Sequence, residues 1–338
     1  MVSGLDFLKA LNLGEEITLD SKPVVVGGGN TAIDVARCYL RLGREPIILY
    51  RRSREEMPAY KEEVEEAERE GIPIQYLVAP FRILREKGNV VGLECLKMRL
   101  GKPDGSGRRS PIPIKGSNFV VETDQVIRAI GETLDRSFLP REIRSGDGAL
   151  EATPYMSTSQ PGTFAGGDVV AQPRSVGHAI LAGKKAAISI DCYLKGKDVE
   201  TVYRSIQVGS KGGVFIEAYL DPKEENLEGK KVVGFEELHT DYFERSPRLK
   251  GKVLPEQKAI RGFDEINLGL DRAGAVRSGE RCFQCGSCNS CRNCYVFCPD
   301  LAVLMKGKEP EIDYDHCKGC GICVQECPRG ALILSEEP

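Results

Sequence analysis

The stretch VVVGGGNTAIDVAR, residues 24–37, joins a short apolar run to a glycine-rich turn and a predicted helix. Within it, Gly27-x-Gly29-x-x-Ala32 matches the G-x-G-x-x-G/A fingerprint of dinucleotide-binding turns. Gly27 permits the tight turn, Gly29 lets the backbone approach a pyrophosphate, and Ala32 allows the helix to pack closely on the strand. The helix N-terminus also offers free N–H groups to phosphates. The stretch therefore predicts a dinucleotide site in an α/β domain; the alternative is a glycine-rich turn without a nucleotide.

The end of the next predicted strand, residues 46–50, indicates which dinucleotide binds. An NAD site places Asp or Glu about 20 residues after the glycine-rich turn, where it bonds the ribose 2′-hydroxyl. Here the strand runs into RRSR, residues 51–54, and the first acidic residue is Glu55. Guanidinium groups suit a 2′-phosphate by charge and by bidentate geometry. The sequence therefore predicts NADP(H) with Arg51 and Arg52 as ligands; the alternative is that these arginines are merely solvated in a loop.

Composition excludes several classes of protein. The chain has 338 residues and a formal net charge of −3, which gives no reason to expect a nucleic acid partner. No apolar run reaches the ~18 residues of a membrane span, and the opening MVSGLDFLKALN is not a signal peptide. We therefore expect a cytoplasmic protein of two or three domains.

Ten of the 13 cysteines lie between residues 282 and 327. An odd count excludes complete disulfide pairing, and such a cluster without a secretion signal is typical of metal ligation. Two runs have the spacing Cys-x2-Cys-x2-Cys-x3-Cys-Pro of bacterial ferredoxins, in which the fourth Cys of each run ligates the other 4Fe–4S cluster. The predicted ligands are Cys288, Cys291, Cys294 and Cys327 for one cluster, and Cys317, Cys320, Cys323 and Cys298 for the other.

Two further interpretations of the cysteines stay open. Zinc is the alternative metal, although the doubled spacing and the Pro after each last Cys argue against it. Cys282 and Cys285 continue the same spacing upstream of the first run. They could join an extra metal site, completed by a partner's residues, or remain plain thiols at a helix end.

A second nucleotide-type feature is TFAGGD, residues 163–168, which predicts a short strand ending in Gly167 and Asp168. An Asp in this position can bond a ribityl hydroxyl of a flavin, and the helix that begins at Val176 can stabilise negative charge on the reduced ring. A capped turn is the alternative. VIRAIG, residues 126–131, predicts a strand that closes on Gly131 at the end of the dinucleotide domain.

GGGNTAIDVAR, LYRRSREEMPA, VIRAIGE and TFAGGDVV follow one another in an order and spacing that resemble the small (beta) subunit of NADPH-dependent glutamate synthase. The NADPH half of dihydropyrimidine dehydrogenase is similar, and the likeness covers about residues 1–195. It implies an FAD domain with an NADPH domain inserted into it. The residues that it implies for NADPH are Gly27, Gly29, Asn30, Thr31, Arg51 and Arg52. Those that it implies for FAD are Asp168 and the turn of Ser175, Val176 and Ala179.

The resemblance also implies a missing part. Relatives carry an earlier G-x-G-x-x-G for the adenosine diphosphate of FAD, upstream of the position of Met1. The present sequence has one such motif, which the resemblance assigns to NADPH. We therefore expect another subunit or an upstream segment to supply the other half of the FAD site.

Hydrophobic periodicity and turn residues place the elements around these motifs. Predicted helices span 4–13, 31–42, 55–70 and 176–193, with another near 263–281. Predicted strands span 22–26, 46–50, 74–78, 81–86, 90–100, 119–130 and 162–165. Residues 101–110 are predicted as a hairpin tip or a mobile loop.

The predicted fold class is α/β: a Rossmann-like NADPH domain with part of an FAD domain of the pyridine nucleotide-disulfide oxidoreductase type, then a small α+β ferredoxin domain. The predicted order is a leader or crossover segment at 1–20, the NADPH domain at 21–134, the C-terminal part of the FAD domain at 135–195, a linker at 196–280, and the two-cluster domain at 281–338.

The predicted function is electron transfer between NADPH, FAD, two 4Fe–4S clusters and a partner redox enzyme or ferredoxin. One rival is a glutamate synthase beta subunit proper. In that subunit the cysteine motifs precede the FAD domain, whereas here they follow it. The other rival is a non-catalytic scaffold whose clusters wire neighbouring subunits and whose nucleotide fold is vestigial.

Overall fold

The computed structural model of the chain describes residues 1–105, 107–131, 135, 137, 139–140, 142–143, 149–170, 173–209, 212–221 and 232–335. It divides into two compact units, one made of Met1–Glu132 with Leu249–Ala273 and the other of Thr133–Arg248 with Gly274–Pro338. Glu132 of the motif VIRAIGE and Leu134 at a predicted domain boundary lie outside the described residues. The predicted domain boundaries stay predictions.

Ten helices are found in the described residues. They are α1 (Gly4–Leu13), α2 (Asn30–Arg41), α3 (Lys61–Arg69), α4 (Val176–Lys195), α5 (Val199–Ile206), α6 (Ile216–Leu220), α7 (Glu256–Ala259), α8 (Arg272–Glu280), α9 (Asn293–Val296) and α10 (Ile322–Gln325). The strands are β1 (Val2–Ser3), β2 (Pro23–Val26), β3 (Ile47–Tyr50), β4 (Ile74–Tyr76), β5 (Val78–Glu86), β6 (Asn89–Pro103), β7 (Arg109–Pro113), β8 (Phe119–Val121), β9 (Gln125–Arg128), β10 (Gln207–Val208), β11 (Gly213–Val214), β12 (Lys252–Val253), β13 (Asn267–Gly269), β14 (Val303–Lys306) and β15 (Glu309–Ile312).

The first unit is built on a parallel sheet of five strands in the order β1-β9-β2-β3-β4. Alternate side chains of its strands enter two different cores. Val25, Ile48 and Ile127 face the helices, where they pack with residues of α1, α2 and α3. Val24 and Leu49, which point to the opposite face, pack with residues of β5 and β6. The apolar runs of the sequence therefore give strands that are buried on both faces, as a parallel sheet requires.

An antiparallel sheet, β5-β6-β7 with β8 on β6, covers that opposite face. Its central strand, β6, is 15 residues long and leads into the hairpin that connects to β7. The sequence predicts a hairpin tip or a mobile loop there, and the structure shows the hairpin; Ser106 at its tip lies outside the described residues. The first unit thus has three layers: helices, parallel sheet and antiparallel sheet.

The predicted leader is an integral part of the first unit. Val2 and Ser3 pair in parallel with Ile127 and Arg128, at the edge of the sheet. The helix α1 follows directly, and the ring of Phe7 stacks on that of Tyr39 with 4.3 Å between centroids.

Several of the predicted elements are wrong in part. The predicted helix at 55–70 begins only at Lys61, because Pro58 keeps Met57 in an extended conformation (ψ 124°) after a short 3-10 turn. The predicted strand at 162–165 is reduced to a single bridge between Phe164 and Ser157. The predicted strand at 119–130 is two strands, since Thr123 uses its hydroxyl to bond the backbone of Lys22 and Gln125 between them.

In the second unit, α4 packs with α5 and α6 around the buried side chains of Ile188, Cys192, Tyr203 and Ile206. The cysteine-rich region contributes the hairpin β14–β15 and the short helices α9 and α10. Residues 196–280, predicted as a linker, contain several regular elements, and the hairpin β12–β13 belongs to the first unit.

A buried ion-pair network joins α2 to α3. Arg37 and Arg41 each donate to Oε1 of Glu70 at 2.8 Å, and the Glu70 side chain is 5% exposed. Burial raises the pKa of Glu70, but the hydrogen bonds and charges of the two arginines outweigh it, so this pKa lies below its usual value. A lowered pKa means that the carboxylate stabilises the fold above its unfolded pKa of about 4.3 and ceases to do so as the pH falls through the folded value.

Glu70→Gln should therefore lower the free energy of unfolding at pH 7 by about 3 kcal/mol, because it removes the carboxylate that pairs with the buried Arg41 guanidinium, whereas Arg37 keeps Glu63 and Glu66. The difference from wild type should shrink in acid, where the wild-type carboxyl is protonated as well. Denaturant unfolding between pH 3 and pH 7 measures both effects. The control is Glu122→Gln, whose carboxylate is exposed and lies 3.6 Å from Lys22. Glu122→Gln should lower the free energy of unfolding by at most ~1 kcal/mol. An equal loss for the two variants would contradict the prediction.

Candidate functional site

The glycine-rich turn after β2 is shaped by two close backbone approaches. Gly27 has φ 154°, and a Cβ there would lie 2.1 Å from the carbonyl oxygen of Ala129. A Cβ on Gly28 would lie 2.4 Å from the ring of Tyr50. Only glycine is compatible with either contact, so the protein's own packing explains both residues.

Gly29 has a different explanation. A Cβ on this residue would meet no atom within 4 Å, so packing alone does not require glycine. Gly29 is the N-cap of α2 and has no side chain to satisfy the first N–H groups of the helix. The turn therefore leaves open space above a helix N-terminus, which suits an anion that approaches the backbone closely.

The other residues of the fingerprint are divided between the core and the turn. Ala32 is fully buried among the helix-side core residues. The Asn30 side chain accepts a hydrogen bond from the backbone N–H of Tyr60 at 2.9 Å and so ties the loop before α3 to the turn. Thr31 lies half-buried in the first turn of α2. Gly131, with φ 96°, is exposed just beyond β9.

The two predicted phosphate-binding arginines have different surroundings. Arg51 is exposed, and no hydrogen bond or ion pair is found for it among the described residues. Arg52 is 4% exposed; its Nη2 lies 2.5 Å from Asp104 and its Nε donates to the carbonyl of Arg109 at 2.8 Å. Arg51 is thus available to a ligand, whereas Arg52 fastens the hairpin to the end of β3.

Sequence reasoning missed the residues that fix this loop. Glu56 accepts from the backbone N–H of Arg109 at 3.1 Å and from its Nε at 2.6 Å. Burial raises the pKa of Glu56, and the hydrogen bonds from Arg109 lower it to a net value below the usual range. The hydroxyl of Tyr50 donates to the carbonyl of Glu56 at 2.7 Å. Glu56 and Arg109 are 53 residues apart in the sequence, so no local signal reveals their contact.

In the second unit, the predicted flavin residues come together at the start of α4. Gly167 has φ 75°, and the turn that it opens lies against α4, with a Cβ on Gly167 3.8 Å from the Cβ of Ala179. Asp168 in that turn is exposed. Ser175 caps the helix: its hydroxyl accepts from the N–H of His178 at 3.3 Å and lies 2.7 Å from the Nδ1 of the same residue. Val176, in the first turn, is 77% exposed.

Four cysteines from both ends of the cysteine-rich region line one cavity of about 280 Å³. They are Cys288, Cys291, Cys294 and Cys327. Burial raises the pKa of Cys294, and the three other thiolates raise it further. The cavity therefore gathers the first three cysteines of one run and the last cysteine of the other, which is the crossed arrangement of a two-cluster ferredoxin.

The remaining predicted ligands show a related pattern. Burial raises the pKa of Cys323, and the nearby Cys317 and Cys320 add to the rise. The last cysteine of each run accepts from the backbone N–H four residues ahead: Cys298 from Ala302 at 3.3 Å and Cys327 from Ala331 at 3.2 Å. Such N–H groups directed at sulfur stabilise thiolates and tune clusters.

Among the described residues, no three His, Cys, Asp or Glu side chains converge closely enough to chelate a single ion. The thiolates of a four-iron cluster bind different iron atoms and so lie further apart than the ligands of one ion. The four-cysteine cavity therefore fits a cluster by its donor set and its hydrogen bonds.

Comparison with known proteins agrees with this geometry. Residues 3–183, more than half of the chain, match the pyridine nucleotide-disulphide oxidoreductase family, and residues 310–333 match the 4Fe-4S binding domain. The chain belongs to the pyridine nucleotide-disulphide oxidoreductase family. The predicted resemblance, the α/β fold class and the C-terminal ferredoxin domain are confirmed.

Curated relatives of this chain carry related names. The NADP(+)-dependent formate dehydrogenase subunit beta of Moorella thermoacetica is 41% identical over 84% of this chain and 38% of its own length. The NADPH-Fe(3+) oxidoreductase subunit beta of Geobacter sulfurreducens is 35% identical over 83% of this chain and 44% of its own. The glutamate synthase [NADPH] small chain of Azospirillum brasilense is 35% identical over 58% of this chain and 44% of its own. The chain thus spans less than half the length of these relatives. Within its described residues, no helix has the length and hydropathy to cross a bilayer.

The anaerobically prepared protein should carry about eight irons, from two 4Fe–4S clusters. Cys298→Ala should damage the cluster of Cys317, Cys320 and Cys323, although Cys298 belongs to the other run. Iron content and the electron paramagnetic resonance spectrum of the reduced protein measure this loss of the cluster. The comparison variants are Cys320→Ala and, as a control outside the cysteine-rich region, Cys38→Ala. A spectrum that matches Cys291→Ala instead would show that the ligation is not crossed.

Arg51→Ala should raise the KM for NADPH ~10- to ~150-fold, because a charged hydrogen bond is worth ~1.5–3 kcal/mol. The KM for NADH should change little, since NADH has no 2′-phosphate. Steady-state dye reduction with both nucleotides measures the ratio. Arg82→Ala, which removes an exposed partner of Glu94 on the antiparallel sheet, is the control. Equal effects of Arg51→Ala on both nucleotides would contradict the assignment.

Proposed function

We propose that this chain is an electron-transfer subunit that passes electrons between NADPH, FAD and two 4Fe–4S clusters, to or from a partner redox enzyme or a ferredoxin. The cofactors supply the chemistry: NADPH and flavin exchange a hydride, and the clusters carry single electrons. The chain's own residues bind, orient and electrostatically support these groups. We also propose a cytoplasmic location, since a reducing compartment keeps cysteines available as thiolates.

One observation carries the proposal: a dinucleotide turn with open space at Gly29 and a cavity lined by four cysteines belong to one chain. The first feature supports binding of a two-electron carrier and the second supports binding of a one-electron carrier. A chain that binds both types of carrier is suited to connect nucleotide chemistry with single-electron transfer. The binding residues proposed above for NADPH, FAD and the clusters follow from this interpretation.

The names of the relatives support NADP(H) as the nucleotide. All three reported relatives have NADP or NADPH in their names. The name of the first also gives formate dehydrogenase, and that of the second gives Fe(3+). The glutamate synthase small chain matches a smaller share of this chain, which favours the other two as functional guides. No observation favours a scaffold with a vestigial nucleotide fold.

We further propose that a partner subunit or an additional segment completes the FAD site. The sequence holds one G-x-G-x-x-G/A turn, and Asp168 can reach only the ribityl end of a flavin. The helix α4, next to the proposed flavin, exposes apolar side chains along its length: Val176 is 77%, Ile180 56% and Leu194 76% exposed. Exposed apolar surface of this kind supports an interface with the missing half.

NADPH should bleach the visible absorption of the clusters in the complete complex under anaerobic conditions, and NADH should do so far more slowly. Stopped-flow absorption measures the two rates, and dithionite reduction of the same sample controls for intact clusters. If dithionite bleaches the clusters and NADPH does not, the proposed electron path is wrong, and the result favours the interpretation as a non-catalytic scaffold.

The 338-residue chain expressed alone should bind FAD weakly, because the adenosine pyrophosphate lacks a glycine-rich turn and a helix N-terminus. Addition of a co-encoded FAD subunit or of an upstream segment should restore NADPH-dependent dye reduction. Fluorescence of released flavin, relative to protein concentration, measures occupancy. Stoichiometric and tightly bound FAD in the isolated chain would overturn the proposed completion of the site.

A further inference from the structure

Cys282 and Cys285 lie in a loop with the backbone geometry of the two ferredoxin loops. The Sγ of Cys282 accepts from the N–H two residues ahead, that of Gln284, at 3.4 Å. The first cysteine of each ferredoxin run makes the same bond: Cys288 with Ser290 at 3.4 Å and Cys317 with Gly319 at 3.5 Å. In all three loops the next cysteine follows directly after the donor.

The backbone dihedrals repeat as well. The N–H donors Gln284, Ser290 and Gly319 have φ 50°, 60° and 65°. Two residues further, Gly286, Arg292 and Gly321 have φ 78°, 69° and 75°. A positive φ is uncommon for Gln, and a strained conformation of this kind persists only where the surrounding structure demands it. The upstream loop therefore adopts a ligand-loop conformation that its own sequence does not favour.

This loop is held in place from three sides. The ring of Phe283, between the two cysteines, contacts those of Phe235 and Phe243, with centroids 6.3 Å and 4.7 Å away. The N–H of Gly286 donates to the carbonyl of Arg329 at 2.7 Å, and the Nη1 of Arg329 donates to Oε1 of Gln284 at 3.0 Å. Since both ends and the middle are anchored, the two thiols are presented by a fixed scaffold.

The pair is separate from the cluster cavity described above. Cys282 and Cys285 are both exposed, and neither lines that cavity. The next cysteine at the same spacing, Cys288, does line the cavity. The loop thus offers two thiols that the predicted pair of clusters does not use.

We propose that Cys282 and Cys285 form half of a third metal–thiolate centre, which two thiolates from another polypeptide complete. Zinc and iron–sulfur centres both require four ligands of this type, so two exposed thiols on a rigid loop are an incomplete set. The inference does not depend on the nucleotide proposal, because it concerns metal content and not NADPH-driven reduction.

The test uses the holo complex, purified anaerobically with its partners. Iron, acid-labile sulfide and zinc are measured in wild type, in the Cys282→Ser/Cys285→Ser double variant and in Cys38→Ser as a matched control. The wild type and the control should hold metal beyond about eight irons per chain, and the double variant should lose only that excess. Loss of zinc alone identifies a zinc centre, and loss of iron with sulfide identifies a cluster. Equal metal content in all three proteins would overturn the proposal.

A second measurement needs no variant and stays informative if the double variant does not fold. Native wild-type complex is treated with iodoacetamide, and modified cysteines are identified by mass spectrometry. Cys282 and Cys285 should resist modification and become reactive after a chelator removes the metal. Rapid modification without chelator would show free thiols, and protection that dithiothreitol alone removes would show a disulfide; either result excludes the centre.

Discussion

The contact between Gly27 and the carbonyl of Ala129 is the constraint on which the nucleotide half of the molecule depends. The chain leaves β2 so close to the end of β9 that no side chain fits at Gly27. This approach brings the carboxyl ends of neighbouring parallel strands to one edge, where α2 starts. In open α/β sheets that edge is where ligands bind. The open space at Gly29 and the exposed Arg51 both follow from this arrangement.

The charges near that edge have two distinct tasks. Arg52, Asp104, Glu56 and Arg109 pair with one another and hold the hairpin against the end of β3. The Arg52 guanidinium is buried and already paired with Asp104, so it is poorly accessible to a phosphate. An exposed guanidinium such as that of Arg51 keeps its full capacity for a phosphate. Two adjacent arginines thus differ in accessibility because their tertiary contacts differ.

The cysteine-rich region depends on backbone conformation more than on hydrophobic burial. Its loops turn through positive φ at fixed positions, which aims N–H groups at the sulfurs and sulfurs toward a common centre. Glycine satisfies this need at Gly319 and Gly321, whereas Ser290 and Arg292 adopt the same conformation at an energetic cost. The metal centre that such loops bind compensates for that cost, since metal binding and folding are coupled.

The sequence by itself determined the elements whose signals are local. The fingerprint at Gly27, Gly29 and Ala32, the strands around it and both ferredoxin spacings are read from neighbouring residues, because turns, helices and ligand loops have fixed periods. Prediction from the sequence was wrong where a single residue sets the bounds of an element. Pro58 delays the start of α3 to Lys61, and the hydrogen bonds of Thr123 divide a predicted strand. Only the tertiary structure showed that Arg52 is engaged by Asp104, and that Phe283, between Cys282 and Cys285, packs on Phe235 and Phe243. These facts depend on pairs of residues far apart in the chain, and their proximity is set by sheet pairing and core packing, which no local pattern encodes.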